Sequence, residues 1–72
     1  MANITFSPKS ESGEIELYQL LKVTKVVATG GMSGAYVQNG EVKLNGEVEL
    51  KVRKKLAKGD VVEFYGTTIE VV

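Results

Sequence analysis

The spacing of hydrophobic residues changes at Glu41, and this change constrains the fold more than any other feature. Before it, Leu17, Leu20 and Leu21 fall at i, i+3 and i+4, which is typical of a helix with one buried face. After it, hydrophobic and polar residues alternate, as in strands that bury one face. A chain of 72 residues supports one small core. The sequence therefore predicts a single α+β domain.

Two short helices are predicted. The first covers Leu17 to Lys22, and at about two turns it is stable only when packed against other elements. The second has Thr29 as its N-cap and ends at Asn39-Gly40, where Gly40 can take the left-handed C-cap conformation. Its predicted apolar face consists of Met32, Ala35, Tyr36 and Val37.

The helices are expected to pack on a small antiparallel sheet of about four to five strands. An N-terminal edge strand with Ile4 and Phe6, followed by a turn, fills residues 1–14, and the main domain fills residues 15–72. Strands are also predicted at 61–64 and 67–72 around Tyr65-Gly66.

The hairpin around Asn45-Gly46 presents a conflict. Asn-Gly favours a two-residue loop, but such a loop would pair Leu44 with Glu47 and mix apolar and polar faces. A three-residue loop would instead pair Leu44 with Val48. We therefore predict a bulged turn here, or a second segment that does not pair regularly.

The composition excludes several kinds of chemistry. The chain has no cysteine and no histidine, so it lacks disulfides, thiolate nucleophiles, the usual general base and the commonest metal ligands. We predict no enzyme activity, no cofactor and no metal. The longest apolar runs are three residues, such as Val26-Val27-Ala28, where a membrane span needs about 20. The start of the chain lacks a signal-peptide pattern, and a cytoplasmic location is expected.

The charges are unevenly distributed. The chain has nine basic and nine acidic residues, for a net charge of zero. Residues 51–58 nevertheless contain five basic residues and no acidic one: Lys51, Arg53, Lys54, Lys55 and Lys58. Such a run can neutralise backbone phosphates. The alternative is a solvated face, which the neighbouring Glu47 and Glu49 support.

A glycine cluster, Gly30-Gly31-Met32-Ser33-Gly34, opens the second helix. It is not a nucleotide-binding P-loop, because Ala35-Tyr36-Val37 follows where Gly-Lys-Ser/Thr is required. Two interpretations remain open. The free amides of the helix start can hold an anion that approaches closely over glycine, or the glycines only permit a tight entry and close helix packing.

The order of these motifs resembles the RNA-binding domain named after ribosomal small-subunit protein four, also called the alpha-L motif. The resemblance rests on Thr29-Gly30-Gly31, on Gly40-Glu41-Val42-Lys43-Leu44-Asn45-Gly46 and on Lys58-Gly59-Asp60. It extends over residues 15–72. The chain is most similar to the small stand-alone bacterial members of the YaaA and YbcJ kind, which carry Leu-x-Gln-x-Leu-Lys before Thr-Gly-Gly; here this segment is Leu17 to Lys22.

The resemblance implies binding of structured RNA, usually ribosomal or transfer RNA, on the ribosome or an assembly intermediate, with no membrane role and no preference for DNA. The second helix and the adjoining hairpin form the binding surface in the family. The residues predicted to bind RNA are Lys22, Lys25, Thr29, Gly30, Gly31, Lys43, Lys51, Arg53, Lys54 and Lys55. Ser33-Gly34 stands where family members place a lysine or arginine, so one phosphate contact is expected to be absent.

Two other functions compete with RNA binding. The first is a protein-interaction or assembly module that uses an exposed strand edge, at Ile4 to Phe6 or Thr67 to Val72. The second is a ubiquitin-like β-grasp sulfur carrier, which shares the Asn-Gly-Glu and Lys-Gly-Asp turns. A carrier needs a C-terminal Gly-Gly, whereas this chain ends Glu70-Val71-Val72.

Overall fold

The computed structural model describes residues 2–9 and 11–72, so Met1 and Ser10 of the predicted N-terminal segment lie outside the described residues. The elements, in chain order, are β1 (Ala2–Phe6), β2 (Ile15–Glu16), α1 (Leu17–Val23), α2 (Gly30–Gln38), β3 (Lys43–Leu44), β4 (Glu47–Val48), β5 (Lys55–Leu56), β6 (Val61–Phe64) and β7 (Thr67–Val71). The predicted α+β class with two short helices is confirmed.

A five-stranded sheet has the order β1-β7-β6-β3-β4. Strand β1 runs parallel to β7, with Ile4 opposite Ile69, and the other pairs are antiparallel. The sheet is therefore mixed rather than wholly antiparallel. A parallel neighbour requires a long connection, and nearly the whole chain separates β1 from β7. Because β7 lies between β1 and β6, the expectation of a free edge at Thr67 to Val72 was wrong.

The hairpin of β3 and β4 has a two-residue loop, so the predicted bulged turn was wrong. Leu44 pairs with Glu47 and Lys43 with Val48. Both loop residues have positive φ, 52° at Asn45 and 87° at Gly46, as a type I′ turn requires. The preference of Asn-Gly for this turn outweighed the matching of faces, because Val48 is not buried in the core.

A second, two-stranded sheet pairs β2 with β5, which places Ile15 opposite Leu56 and Glu16 opposite Lys55. The alternation of residues after Glu49 had suggested a longer strand in the hairpin. Instead, the last backbone bond there runs from the Glu49 N–H to the Val42 carbonyl. The following residues leave the large sheet and reach α1.

The core lies between the helices and the inner face of the large sheet. Its buried hydrophobic residues are Leu17, Leu20, Leu21, Val27, Val37, Val42, Leu56, Val62, Phe64, Ile69 and Val71. The three leucines of α1 are fully buried, as their spacing predicted. This burial stabilises a helix of seven residues that would not persist in isolation.

The buried face of α2 agrees with the predicted one at Val37 and differs from it elsewhere. Ser33 and Val37, at i and i+4, are buried, whereas Met32 and Ala35 are exposed and Tyr36 is half-buried. Burial of Ser33 leaves no unpaired hydroxyl, because its Oγ donates a 3.1 Å hydrogen bond to the Thr29 carbonyl. Because the prediction counted only apolar residues, it missed Ser33 and rotated the buried face of α2 by about one residue.

Candidate nucleic-acid interface

Helix α2 begins with one capped amide and two amides that lack an acceptor. The Thr29 side chain, on extended backbone, accepts a 3.1 Å hydrogen bond from the Met32 N–H, as predicted for an N-cap. Among the described residues, nothing accepts a hydrogen bond from the N–H of Gly30 or Gly31. Both donors remain available to water or to an anion at the positive end of the helix dipole.

A shallow groove of about 550 Å³ follows one side of α2. It is lined by Tyr18, Gly30, Gly31, Gly34, Ala35, Gln38, Val52 and Arg53. A Cβ atom added at Gly30 would lie 3.5 Å from the Tyr18 ring, and one added at Gly34 would lie 3.4 Å from the Val52 side chain. Any side chain at these two positions, a methyl group included, would take up space in the groove.

Backbone hydrogen bonds fix the opposite wall of the groove. The Leu17 N–H donates to the Lys54 carbonyl at 2.9 Å, and the Tyr18 N–H donates to the Val52 carbonyl at 3.2 Å. Glu16, the N-cap residue of α1, makes no side-chain capping bond. The loop of residues 51–54, here called the basic loop, therefore caps α1 with its own carbonyls.

The basic loop is also closed internally. The Lys54 N–H donates to the Lys51 carbonyl at 3.1 Å, and the Lys51 N–H donates to the Glu49 carboxylate at 3.1 Å. The side chains of Lys51, Arg53 and Lys54 are exposed. Their backbone is held while their charged groups face solvent, an arrangement that suits contact with phosphates.

Several predicted site residues surround this groove. Gly30, Gly31 and Arg53 line it, Thr29 caps the helix that forms its floor, and Lys51 and Lys54 belong to the basic loop. Lys22 is adjacent, because its Cδ lies 3.8 Å from a Cβ built at Gly30.

The structure places three other predicted site residues differently. Lys43 lies on the outer sheet face, opposite Glu63 on β6. Lys55 lies opposite Glu16 and lines a separate pocket with it. Lys25 is an exposed residue in the turn after α1, where its φ is 62°. For Lys43 and Lys55, a nearby carboxylate offsets the attraction of the ammonium group for a phosphate.

Five groove residues were not predicted as binding residues: Tyr18, Gly34, Ala35, Gln38 and Val52. Tyr18 fitted the pattern of a helix-core residue, and it is half-buried beneath Gly30. Gly34 belonged to the glycine cluster, but its role depends on its contact with Val52, 18 residues further along the chain. The only local signal was a glycine within a predicted helix, where propensity disfavours it.

The Asn45-Gly46 and Gly59-Asp60 motifs are joined by hydrogen bonds. The Asn45 side chain donates to Asp60 at 3.0 Å and accepts from the Val61 N–H at 2.9 Å. The second Asp60 carboxylate oxygen accepts from the Ala57 N–H at 2.9 Å. These bonds fix the hairpin relative to the turn between β5 and β6.

On the outer side of the sheet, the Tyr65 hydroxyl donates a hydrogen bond to the Glu41 carboxylate. This hydrogen bond raises the pKa of the Tyr65 hydroxyl above its usual value of 10.0. The Tyr65 ring also packs edge-on against Phe64, with ring centroids 4.7 Å apart.

Within residues 2–9 and 11–72, no three acidic side chains come together in a group that could hold a metal ion. No helix in this described part is long and apolar enough to cross a membrane.

Comparison with known proteins assigns the fold to a family. A family model described as the S4 domain matches residues 9–72. The chain belongs to the S4 domain family. This S4 domain is 34% identical over 58 residues to YbcJ of Escherichia coli, covering 81% of this chain and 83% of YbcJ. It is 40% identical over 52 residues to RlbA of Bacillus subtilis, named a probable ribosome maturation protein, covering 72% of this chain and 73% of RlbA.

The solution structure of Escherichia coli YbcJ is similar to this S4 domain, with a TM-score of 0.65 and 30% sequence identity. The match covers all of this chain and 87% of YbcJ, whose structure is described as containing an alpha-L motif involved in RNA binding. The resemblance expected from the motifs is confirmed, and the alpha-L fold accounts for the two helices and the adjoining hairpin.

Proposed function

We propose that this S4 domain binds structured RNA, ribosomal or transfer RNA, along the groove between α2 and the basic loop, without catalysing a reaction. The observation that carries the proposal is the attachment of the basic loop to the start of α1. The bonds from Leu17 and Tyr18 to the loop carbonyls hold Arg53 across the groove from the glycines of α2. The RNA-binding description of the YbcJ structure supports the same conclusion.

In this proposal the groove receives the sugar–phosphate backbone. The N–H groups of Gly30 and Gly31 donate to one phosphate, which approaches closely because neither residue has a side chain. Arg53 donates two parallel hydrogen bonds from its guanidinium to a neighbouring phosphate. Lys51, Lys54 and Lys22 neutralise other phosphates. Lys25, Lys43 and Lys55 contribute less, because they lie outside the groove or opposite a carboxylate.

Charge reversal tests the proposal. Changing Lys51, Arg53 and Lys54 together to glutamate should abolish binding to a ribosomal RNA stem–loop. A ribosomal RNA is the first probe because the similar protein RlbA is named a probable ribosome maturation protein. A matched variant changes Lys9, Lys43 and Lys58 to glutamate, with the same alteration of net charge at exposed sites outside the groove. This variant should retain most of the affinity.

The salt dependence gives a second measurement. With three to five phosphate contacts, the slope of log K against log salt should be roughly −3 to −4.5 for a helical RNA. The slope is measured by fluorescence anisotropy at salt concentrations from about 50 to about 200 mM. Equal loss of affinity in both triple variants, or a flat salt dependence, would contradict the groove as the binding surface.

A further inference from the structure

A second surface of the molecule carries exposed hydrophobic side chains. Val48 is 52% exposed and Leu50 is 59% exposed, and both lie close to Gly40, where an added Cβ would be 3.6 and 3.8 Å from them. A shallow groove lined by Gly40, Glu41, Lys43, Glu63, Tyr65 and Gly66 adjoins them. Tyr65 is 71% exposed. We call Val48, Leu50, Tyr65 and this groove the hairpin patch.

The hairpin patch faces away from the core. Lys43, Val48 and Glu63 share one face of the sheet by their register, and this face alternates with the inner face that contains Val62. Val48 and Leu50 contribute to the alternation of hydrophobic and polar residues in the sequence, yet neither side chain is buried in the core. Adjacent exposed hydrophobic residues of this kind mark interaction surfaces.

The charges around the patch determine which partner it fits. Its negative charge comes from Glu41 and Glu63, which line its groove. Lys43 lines the same groove opposite Glu63 and offsets one of the two charges, so the groove keeps a net negative charge. The Glu41 carboxylate is held at the patch by the Tyr65 hydroxyl. A surface of this composition repels phosphates and attracts cations.

We propose that the hairpin patch docks a basic protein segment in which aliphatic residues alternate with lysine or arginine. The aliphatic side chains cover Val48, Leu50 and the Tyr65 ring, and the cations pair with Glu41 and Glu63. This inference is independent of the RNA-binding proposal, because the patch has the opposite charge from the basic loop and lies on the outer sheet face.

The test uses a labelled ten-residue peptide of alternating lysine and valine, and a control peptide with glutamate in place of lysine. Amide chemical shifts of the intact chain report where each peptide binds. With the lysine peptide, shift changes should concentrate at residues 40–50 and 63–66. The double variant Val48→Ser/Leu50→Ser should weaken binding by roughly tenfold or more. Val23→Ser, which changes a residue that is 48% exposed at the end of α1, should leave it unchanged.

Other outcomes would overturn the proposal. Equal binding of the glutamate peptide, full binding to the Val48→Ser/Leu50→Ser variant, or shift changes spread over the whole surface would each do so. Shift changes at the patch on adding the RNA stem–loop would assign the patch to nucleic acid instead. Concentration-dependent changes at the patch without peptide would assign it to a second copy of the chain. Loss of RNA binding in the triple loop variant does not affect these readings, so the two proposals fail separately.

Discussion

Replacing Gly34 by alanine distinguishes the two interpretations of the glycine cluster. A glycine within a helix costs roughly 0.5–1 kcal/mol relative to alanine. The added Cβ would lie 3.4 Å from the Val52 side chain, at the near limit of ordinary contact. Val52 is half-buried in a loop and can move slightly. We therefore expect Gly34→Ala to raise the free energy of unfolding by about 0.5–1 kcal/mol, or Tm by about 2–8 °C.

The same substitution should weaken RNA binding, because the methyl group occupies the floor of the groove. Thermal and urea unfolding followed by circular dichroism measure the stability, and fluorescence anisotropy with the RNA stem–loop measures the affinity. Gly31→Ala is the matched control for stability, because a Cβ there has nothing within 4 Å. It should stabilise the fold through helix propensity alone.

Two results would refute this reasoning. If Gly34→Ala destabilises the fold while Gly31→Ala stabilises it, Gly34 serves close packing of α2 against Val52. If Gly34→Ala is stabilising but leaves RNA affinity unchanged, the groove is not the surface that receives the RNA backbone.

Three further predictions concern single side chains. Asp60→Ala removes the acceptors of Asn45 and Ala57 and should lower the free energy of unfolding by about 1–3 kcal/mol in urea titration; the exposed Glu70→Ala should change it by less than about 0.5, and equal effects would contradict a structural role for Asp60. Thr29→Ala should lower the free energy of unfolding by about 1 kcal/mol in the same titration, because it removes the acceptor of the Met32 N–H. Thr29→Ser keeps a hydroxyl acceptor and should retain most of that stability. Glu41→Ala, which removes the acceptor, should lower the pKa of Tyr65 towards 10.0, measured by phenolate absorbance. Because this pKa is raised in the folded chain, its contribution to stability is present below pH 10.0 and is lost as pH rises through the raised value. An unchanged titration in Glu41→Ala would show that the hydrogen bond does not raise the pKa.

The sequence predicted those parts of the fold that have a strong local signal. The leucines of α1 repeat at helical spacing over a whole turn, and Thr29 carries a known cap chemistry. Strands β2 and β5 are only two residues long, which is too short to show the alternation of hydrophobic and polar residues that identifies a strand. The hairpin was mispredicted because burial of Val48 was assumed, whereas the turn preference of Asn45-Gly46 determined the register.

For the candidate site, the sequence indicated the segments but not their grouping. Lys51 and Lys55 appeared equivalent within one basic run, yet the first lies in the basic loop and the second lies opposite Glu16 in the small sheet. This separation results from the backbone carbonyls of Val52 and Lys54, which bond to the start of α1. Any residue type supplies such carbonyls, so no sequence pattern reports it.

The capping of α1 by the basic loop also affects the entropy of binding. Ordering one residue of a free loop costs roughly 1–2 kcal/mol, so a mobile loop of residues 51–54 would weaken every contact it made with a ligand. Here that freedom is lost when the chain folds, because the loop cannot detach without exposing the amides of Leu17 and Tyr18. Opening the loop breaks both of these hydrogen bonds, so we expect the wall of the groove to keep its shape before any partner arrives.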